Sequence, residues 1–268
     1  MLGAIVGDII GSAYEHGEMK SMDFPLFSEA SHFTDDTVMT LAVARALMQC
    51  MLKRGDPITE ESFTLRVKGS MRKLGKRFPD AGYGRGFTVW LMSKDPRPYH
   101  SWGNAAAMRV SPVAWAFDDL ETVERYAEAS ALITHDHPEG VKSAKSVAGA
   151  IFLARTKHTK NDIREYITEK YGYDLSRTID EIRPDYVYSS ASPKSLPEAF
   201  TAFLEGENFE DVIRKAVSLG GDSDTIAAIA GSIAEPFYYI QTLTQVEAFE
   251  RLHPYLKYLV QKWEQWRD

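Results

Sequence analysis

Two short stretches, Phe33-Thr34-Asp35-Asp36-Thr37 and Gly220-Gly221-Asp222-Ser223-Asp224-Thr225, each place two carboxylates and their hydroxyl neighbours directly ahead of a run of apolar residues at helical spacing. The plain meaning of either stretch alone is a helix cap. A Thr or Asp oxygen accepts from the orphan N–H groups of a first turn, and an acid there complements the helix dipole. A cap needs only one such side chain, however, and the helices that follow, VMTLAVARALM and IAAIAGSIA, are apolar enough to lie in a core. Desolvated carboxylates near one another have raised pKa values and cost several kcal/mol unless a cation neutralises them. If the two helix starts face each other, Thr34, Asp35, Asp36, Asp222, Asp224 and Thr225 form an all-oxygen donor set. Hard oxygen donors without His or Cys select Mg²⁺, Mn²⁺ or Ca²⁺ over zinc or copper. Four anionic donors match the charge of two divalent ions better than that of one.

Other segments carry weaker signals. Glu15 lies just past an apolar helix with small residues at Gly3, Gly7 and Gly11, a spacing that suits close helix packing; a glutamate there is commonly a solvated loop residue. Gly82-Tyr83-Gly84-Arg85-Gly86 offers backbone N–H groups to a phosphate or is simply a turn. Trp102-Gly103-Asn104-Ala105-Ala106-Ala107-Met108-Arg109 has the small residues that let a backbone approach a ligand, or is a tightly packed helix start. Thr134-His135-Asp136-His137-Pro138-Glu139-Gly140 reads as a second metal site or, better, as a loop with one functional His, since Pro138 suits a first helical turn.

These residues must be positioned by helices. Apolar residues recur at helical spacing over 37–52, 62–74, 120–133, 141–155, 161–171, 197–204, 209–219, 225–241 and 246–266. The best strand signal, 185–189, is short and alone, and one strand cannot make a sheet. An all-α domain follows. Gly and Pro breakers, including the run 190–197, are spaced as connections between helices, so the expectation is a single domain over 1–268 with no repeat.

Bulk composition agrees. The chain has 268 residues, 44% hydrophobic and 12% aromatic, enough to fill one substantial core. A net charge of -7 without a block of like charges argues against a nucleic-acid-binding surface. The lone cysteine, Cys50, and an N-terminal run interrupted by Asp8 and lacking a basic region fit a cytoplasmic protein, and no segment reaches the roughly 20 apolar residues of a membrane span.

Taken in order, GAIVGDIIGSAYE, FTDDT, AGYGRGF, SWGNAAAMRVSP, THDHPEG and GGDSDTIAAIAGSIAE resemble the ADP-ribosylglycohydrolases, the family that includes the dinitrogenase-reductase-activating hydrolases. The resemblance covers nearly the whole chain. It implies a compact, orthogonal multi-helix domain with two Mg²⁺ or Mn²⁺ ions that cleaves the glycosidic bond between ADP-ribose and an acceptor, commonly a protein side chain. An ADP-ribosyl small molecule or base is also open as the acceptor, and a monomer is favoured. By this resemblance Thr34, Asp35, Asp36, Asp222, Asp224 and Thr225 are the metal ligands, and Glu15 is the mobile-loop glutamate acting with Asp35, Asp36 and Asp222 in catalysis. It implies that Gly82, Tyr83 and Gly84 follow the diphosphate, that Gly103, Asn104 and Met108 lie near the ribose, and that His135 is a further ligand contact. Ala105 stands where the family's motif has glycine, 157–197 matches no motif, and Asp80 is a loosely placed acid/base candidate. An ADP-ribose-binding protein without turnover and a dinuclear-metal phosphohydrolase are the alternatives.

Overall fold

The computed structural model describes residues 1–17 and 19–267. Its helices run α1 (Leu2–Gly11), α2 (Asp35–Cys50), α3 (Glu60–Arg77), α4 (Arg85–Met92), α5 (Ala105–Met108), α6 (Ser111–Ala116), α7 (Leu120–Ala131), α8 (Pro138–Arg155), α9 (Lys160–Glu165), α10 (Ile179–Ile182), α11 (Ser192–Glu205), α12 (Phe209–Val217), α13 (Ser223–Phe237), α14 (Thr242–Glu250) and α15 (Pro254–Arg267). Among the described residues there is no sheet. One antiparallel bridge, Gly103 to Ala191, ties the two loops that flank the site.

Local chemistry sets many of these boundaries. Thr59, Asp119 and Asn208 each accept from a first-turn N–H of α3, α7 and α12, and Thr159 and Thr178 form reciprocal capping boxes with Asp162 and Glu181. Pro254 separates α14 from α15, so the stretch expected as one helix over 246–266 is two. The expected helix start at Pro197 is wrong in the other direction: α11 begins at Ser192, with Pro193 in its first turn and Pro197 inside it. The segment expected as a strand, 185–189, is irregular.

Helix α13 is central, packing against α1, α8, α11 and α12, while α2 packs against α3, α6 and α15. The α1–α13 contact is the most intimate. A Cβ at Gly3 or Gly7 would run into the carbonyl oxygens of Gly231 or Ala227, and one at Gly11 would lie 2.5 Å from the Asp224 Cα. Only glycines let the two backbones touch, and that contact brings the end of α1 to the start of α13. No helix among the described residues is long and apolar enough to cross a membrane.

Candidate active site

The N-termini of α2 and α13 do meet: the Thr225 hydroxyl donates to Asp36 Oδ2 at 3.1 Å. The two acidic clusters, far apart in sequence, therefore share one site. Capping uses only part of this set, and the Asp224 carboxylate accepts from the Thr225 N–H at 2.9 Å. Thr34 caps α2, accepting from the Asp36 N–H at 3.2 Å, whereas the Asp222 side chain makes no capping hydrogen bond to α13. Asp222 Oδ2 instead accepts from the Asn104 amide at 2.7 Å, and Asn104 also donates to Ser195 at 3.2 Å. Asp36 Oδ1 is buried with no hydrogen-bond partner among the described residues. An orphaned carboxylate oxygen in a buried acidic cluster is what a cation would satisfy.

Sequence reading missed the role of Asp8. Fully buried on α1, it accepts from the Thr34 N–H at 3.0 Å, the Thr34 hydroxyl at 2.7 Å and the Thr37 N–H at 3.0 Å, and from the Thr37 hydroxyl as well. Asp8 thus serves the first turn of α2 from another helix, which leaves Asp35 and Asp36 free to face elsewhere. The only local signal was an acid within an apolar run.

Two groups of acids lie within metal-sharing distance: Asp8, Asp36 and Asp224, and Glu15, Asp222 and Asp224, each with ligand atoms within 4.8 Å of one another. Asp224 belongs to both, an arrangement that can hold two cations side by side. The Thr134–Gly140 loop contributes to no such group among the described residues, so the reading of it as a second metal site does not stand.

The charges are mutually unfavourable without a cation. Burial, then Asp8 and Asp222, push the Asp35 carboxyl up to about 8. Burial raises Asp222 to about 6 against the opposing pull of the Asn104 hydrogen bond. Burial raises Asp36 and Asp224 well above the usual carboxylate range, with Asp224 acting on Asp36 and Asp222 acting on Asp224. Burial also raises Asp8, although its Thr37 and Thr34 hydrogen bonds oppose the shift.

Above these carboxylates opens a cleft of about 360 Å³. It is bordered by Glu15, Gly82, Gly84, Gly103, Asn104, Met108 and His135, together with Thr34, Asp35, Asp36, Asp222, Asp224 and Thr225. The expected site residues converge here with one exception. Tyr83 does not border the cleft; its ring packs 5.1 Å from that of Phe87. Asp80 is exposed and also off the cleft, which removes it as an acid/base candidate. Ala105, at the position where glycine was expected, borders the cleft.

Further lining residues are Arg85 and Arg109, which fall within segments already singled out in the sequence, and Tyr99 and Tyr188, which carried no readable signal. Tyr188 comes from the unassigned stretch 157–197, and its ring meets His16 edge-on at 4.6 Å. Gly220 and Gly221, at φ 72° and 70°, make this crossing possible. A Cβ on Gly221 would sit 3.0 Å from the Tyr188 Cα, and the Gly221 carbonyl accepts from the His16 N–H at 2.9 Å. The double glycine thus seats both the Glu15 loop and the Tyr188 segment over the mouth of α13.

Known proteins agree with this geometry. The profile described as ADP-ribosylglycohydrolase matches residues 1–234. An uncharacterized protein of Archaeoglobus fulgidus is 28% identical, over 94% of this chain and 92% of its own length. Human ADP-ribosylhydrolase ARH3 is 27% identical over 89% of this chain and 84% of its own, and the ADP-ribosylarginine hydrolase Tri1 of Pseudomonas putida is 25% identical over 89% and 69%. A solved structure described as an ADP-ribosylglycohydrolase-related protein complex has the same fold, with a TM-score of 0.68 at 24% identity over 100% of this chain and 97% of that one. With a family profile across most of the chain and the acidic helix starts brought together in one cleft, this protein belongs to the ADP-ribosylglycohydrolase family and is an ADP-ribosylhydrolase enzyme.

Proposed function

We propose that the protein is a metal-dependent hydrolase that cleaves the glycosidic bond between C1″ of ADP-ribose and a protein side chain, reversing mono-ADP-ribosylation. The observation that carries the metal dependence is the unpartnered, buried Asp36 Oδ1 amid carboxylates that burial and mutual repulsion hold above their usual pKa. The proposed donors to two hard divalent cations, Mg²⁺ or Mn²⁺, are Thr34, Asp35, Asp36, Asp222, Asp224 and Thr225: Asp36, Asp222 and Asp224 fall in the two close acid groups, and Thr34, Asp35 and Thr225 border the same cleft.

When bound, such ions polarise ribose hydroxyls and lower the pKa of a coordinated water. The protein supplies the rest. Asn104 fixes the orientation of Asp222, and Asp8 fixes Thr34, so each half of the donor set is held by a side chain from another element. The carboxylates on the cleft floor stabilise the positive charge that develops at the anomeric carbon in an oxocarbenium-like transition state. Glu15 shares its acidic group with Asp222 and Asp224 from the rim, where it orients the substrate. Backbone at Gly82, Gly84 and Gly103 borders the remaining cleft, where the diphosphate and ribose lie.

The relatives' names cover a general ADP-ribosylhydrolase and an ADP-ribosylarginine hydrolase. Arginine is accordingly the first acceptor to test. The decisive assay incubates linkage-defined ADP-ribosylated proteins with the enzyme, with and without EDTA, and identifies the product by mass spectrometry. Release of intact ADP-ribose that chelation abolishes supports the reading. AMP and ribose phosphate as products, or turnover indifferent to chelation, would refute it.

A further inference from the structure

His135 enters the cleft from the turn after α7, and its surroundings define which of its ring nitrogens carries the proton. The residue is buried, and its Nδ1 lies 2.7 Å from the Thr134 hydroxyl oxygen. That same oxygen accepts from Arg109 Nη2 at 2.9 Å, and Arg109 also donates to the carbonyls of Ser130 at 3.1 Å and Ala105 at 3.2 Å. A threonine hydroxyl has one proton and two lone pairs. With one lone pair taken by a guanidinium, which can only donate, the proton is left for the imidazole. Thr134 is itself fully buried, and Arg109 and His135 are the partners of its hydroxyl, so the reverse arrangement would strand the hydroxyl proton without an acceptor. Burial and the nearby Arg109 charge hold the His135 pKa well below its usual range, which keeps the ring neutral.

We infer that the chain Arg109–Thr134–His135 locks His135 as the neutral Nε2–H tautomer and makes it a fixed hydrogen-bond donor to an oxygen of the bound ligand. The other end of the ring lies on the cleft side: His135 and Gly103 both border the cleft, and the Gly103 Cβ position is 3.8 Å from His135 Nε2. Arg109 and Thr134 are positioning residues in this scheme. His135 is a ligand contact and takes no part as an acid or base, because its accepting nitrogen faces away from the cleft. The ligand assignment rests on the proposed ADP-ribosyl substrate, whereas the tautomer does not.

The test is ¹⁵N–¹H NMR of the full chain with labelled histidine at neutral pH, first free and then titrated with ADP-ribose. In the free protein the His135 signal, assigned among the seven histidines by its loss in His135→Gln, should be that of a neutral ring protonated at Nε2 alone, mixed with the Nδ1–H form in Thr134→Val and restored in Thr134→Ser. ADP-ribose should shift the Nε2–H resonance and bind about tenfold more weakly to Thr134→Val, the scale of one hydrogen bond to a charged acceptor. An Nδ1–H or doubly protonated His135 in the wild type, or a Thr134→Val variant with unchanged tautomer and affinity, would overturn the inference. If ADP-ribose failed to bind the wild type, the reading of the cleft would fall while the free-protein spectrum still decided the tautomer.

Discussion

Asp8 on α1 and Thr34 at the start of α2 are joined twice: the Thr34 N–H and hydroxyl both donate to the Asp8 carboxylate, at 3.0 and 2.7 Å. The acid that fixes the first turn of α2 therefore sits on another helix, and its carboxylate also falls in the group it forms with Asp36 and Asp224. Asp8→Ala leaves buried donors on Thr34 and Thr37 without an acceptor, at about 1–3 kcal/mol for each group that water cannot reach. The expected loss is about 3 kcal/mol, or about 6–12 °C in melting temperature for a chain of this size. Metal affinity, read by isothermal titration calorimetry, should fall at least about tenfold. A variant that melts and binds metal like the wild type would show that α2 orders its own first turn.

Removing a ligand acid should have opposite effects on activity and on metal-free stability. Asp36→Asn deletes one charge from a cluster in which burial and Asp224 already hold that carboxyl up. We expect kcat/KM to fall by about 10³-fold, roughly 4 kcal/mol, while the EDTA-treated variant melts about 2–4 °C higher than the EDTA-treated wild type, about 1 kcal/mol. Loss of both activity and apo stability would instead mark Asp36 as a structural residue.

The pH dependence has a definite sign. Asp35 and Asp222 have folded-state values of about 8 and about 6, above the roughly 4 of an unfolded aspartate. The folded metal-free protein thus binds more protons than the unfolded chain, and its stability declines as pH rises from about 4 through about 8. Bound cations remove that penalty, so the melting-temperature gain from Mg²⁺ should be small near pH 5 and largest near pH 8. Differential scanning calorimetry in EDTA and in Mg²⁺ checks this, and a gain that shrinks with rising pH would contradict the charge argument.

Gly7→Ala tests the helix contact beneath the site. A Cβ there meets the Ala227 carbonyl oxygen, a backbone atom that cannot rotate away, so α1 and α13 must separate. Overpacking of this kind costs about 1–3 kcal/mol. The more telling readout is metal affinity, because Asp8 rides on α1 and Asp224 on α13. Reduced stability with intact metal binding would mean that the half-sites are positioned independently of this contact.

The helical spacing showed the fold class, and the surplus of acids over capping need pointed to the site. Thr34 to Thr37 and Asp222 to Thr225 were readable because an apolar helix following two carboxylates is a local contradiction. What was not readable depends on partners distant in sequence. Asp8 becomes meaningful only when the donors it serves, on Thr34 and Thr37, are known, Tyr188 only when a pair of left-handed glycines brings it over α13, and Tyr83 only when its packing against Phe87 is known. Pro197 misled for a related reason: the packing of α11 tolerates a proline that local propensity counts as a helix start.

The glycine-faced contact between α1 and α13 also orders events in time. The Ser223 hydroxyl donates to the Gly11 carbonyl at 2.9 Å across a separation of 212 residues. Closing a loop of that length costs about 5 kcal/mol in chain entropy before any contact repays it. Helix α1 must therefore wait for the chain through α13 before it finds its partner, and the acidic cluster cannot assemble in a molecule that ends before Asp222. With the proposed metal dependence, metal capture is then a late folding event, one that reports closure of the chain from α1 to α13.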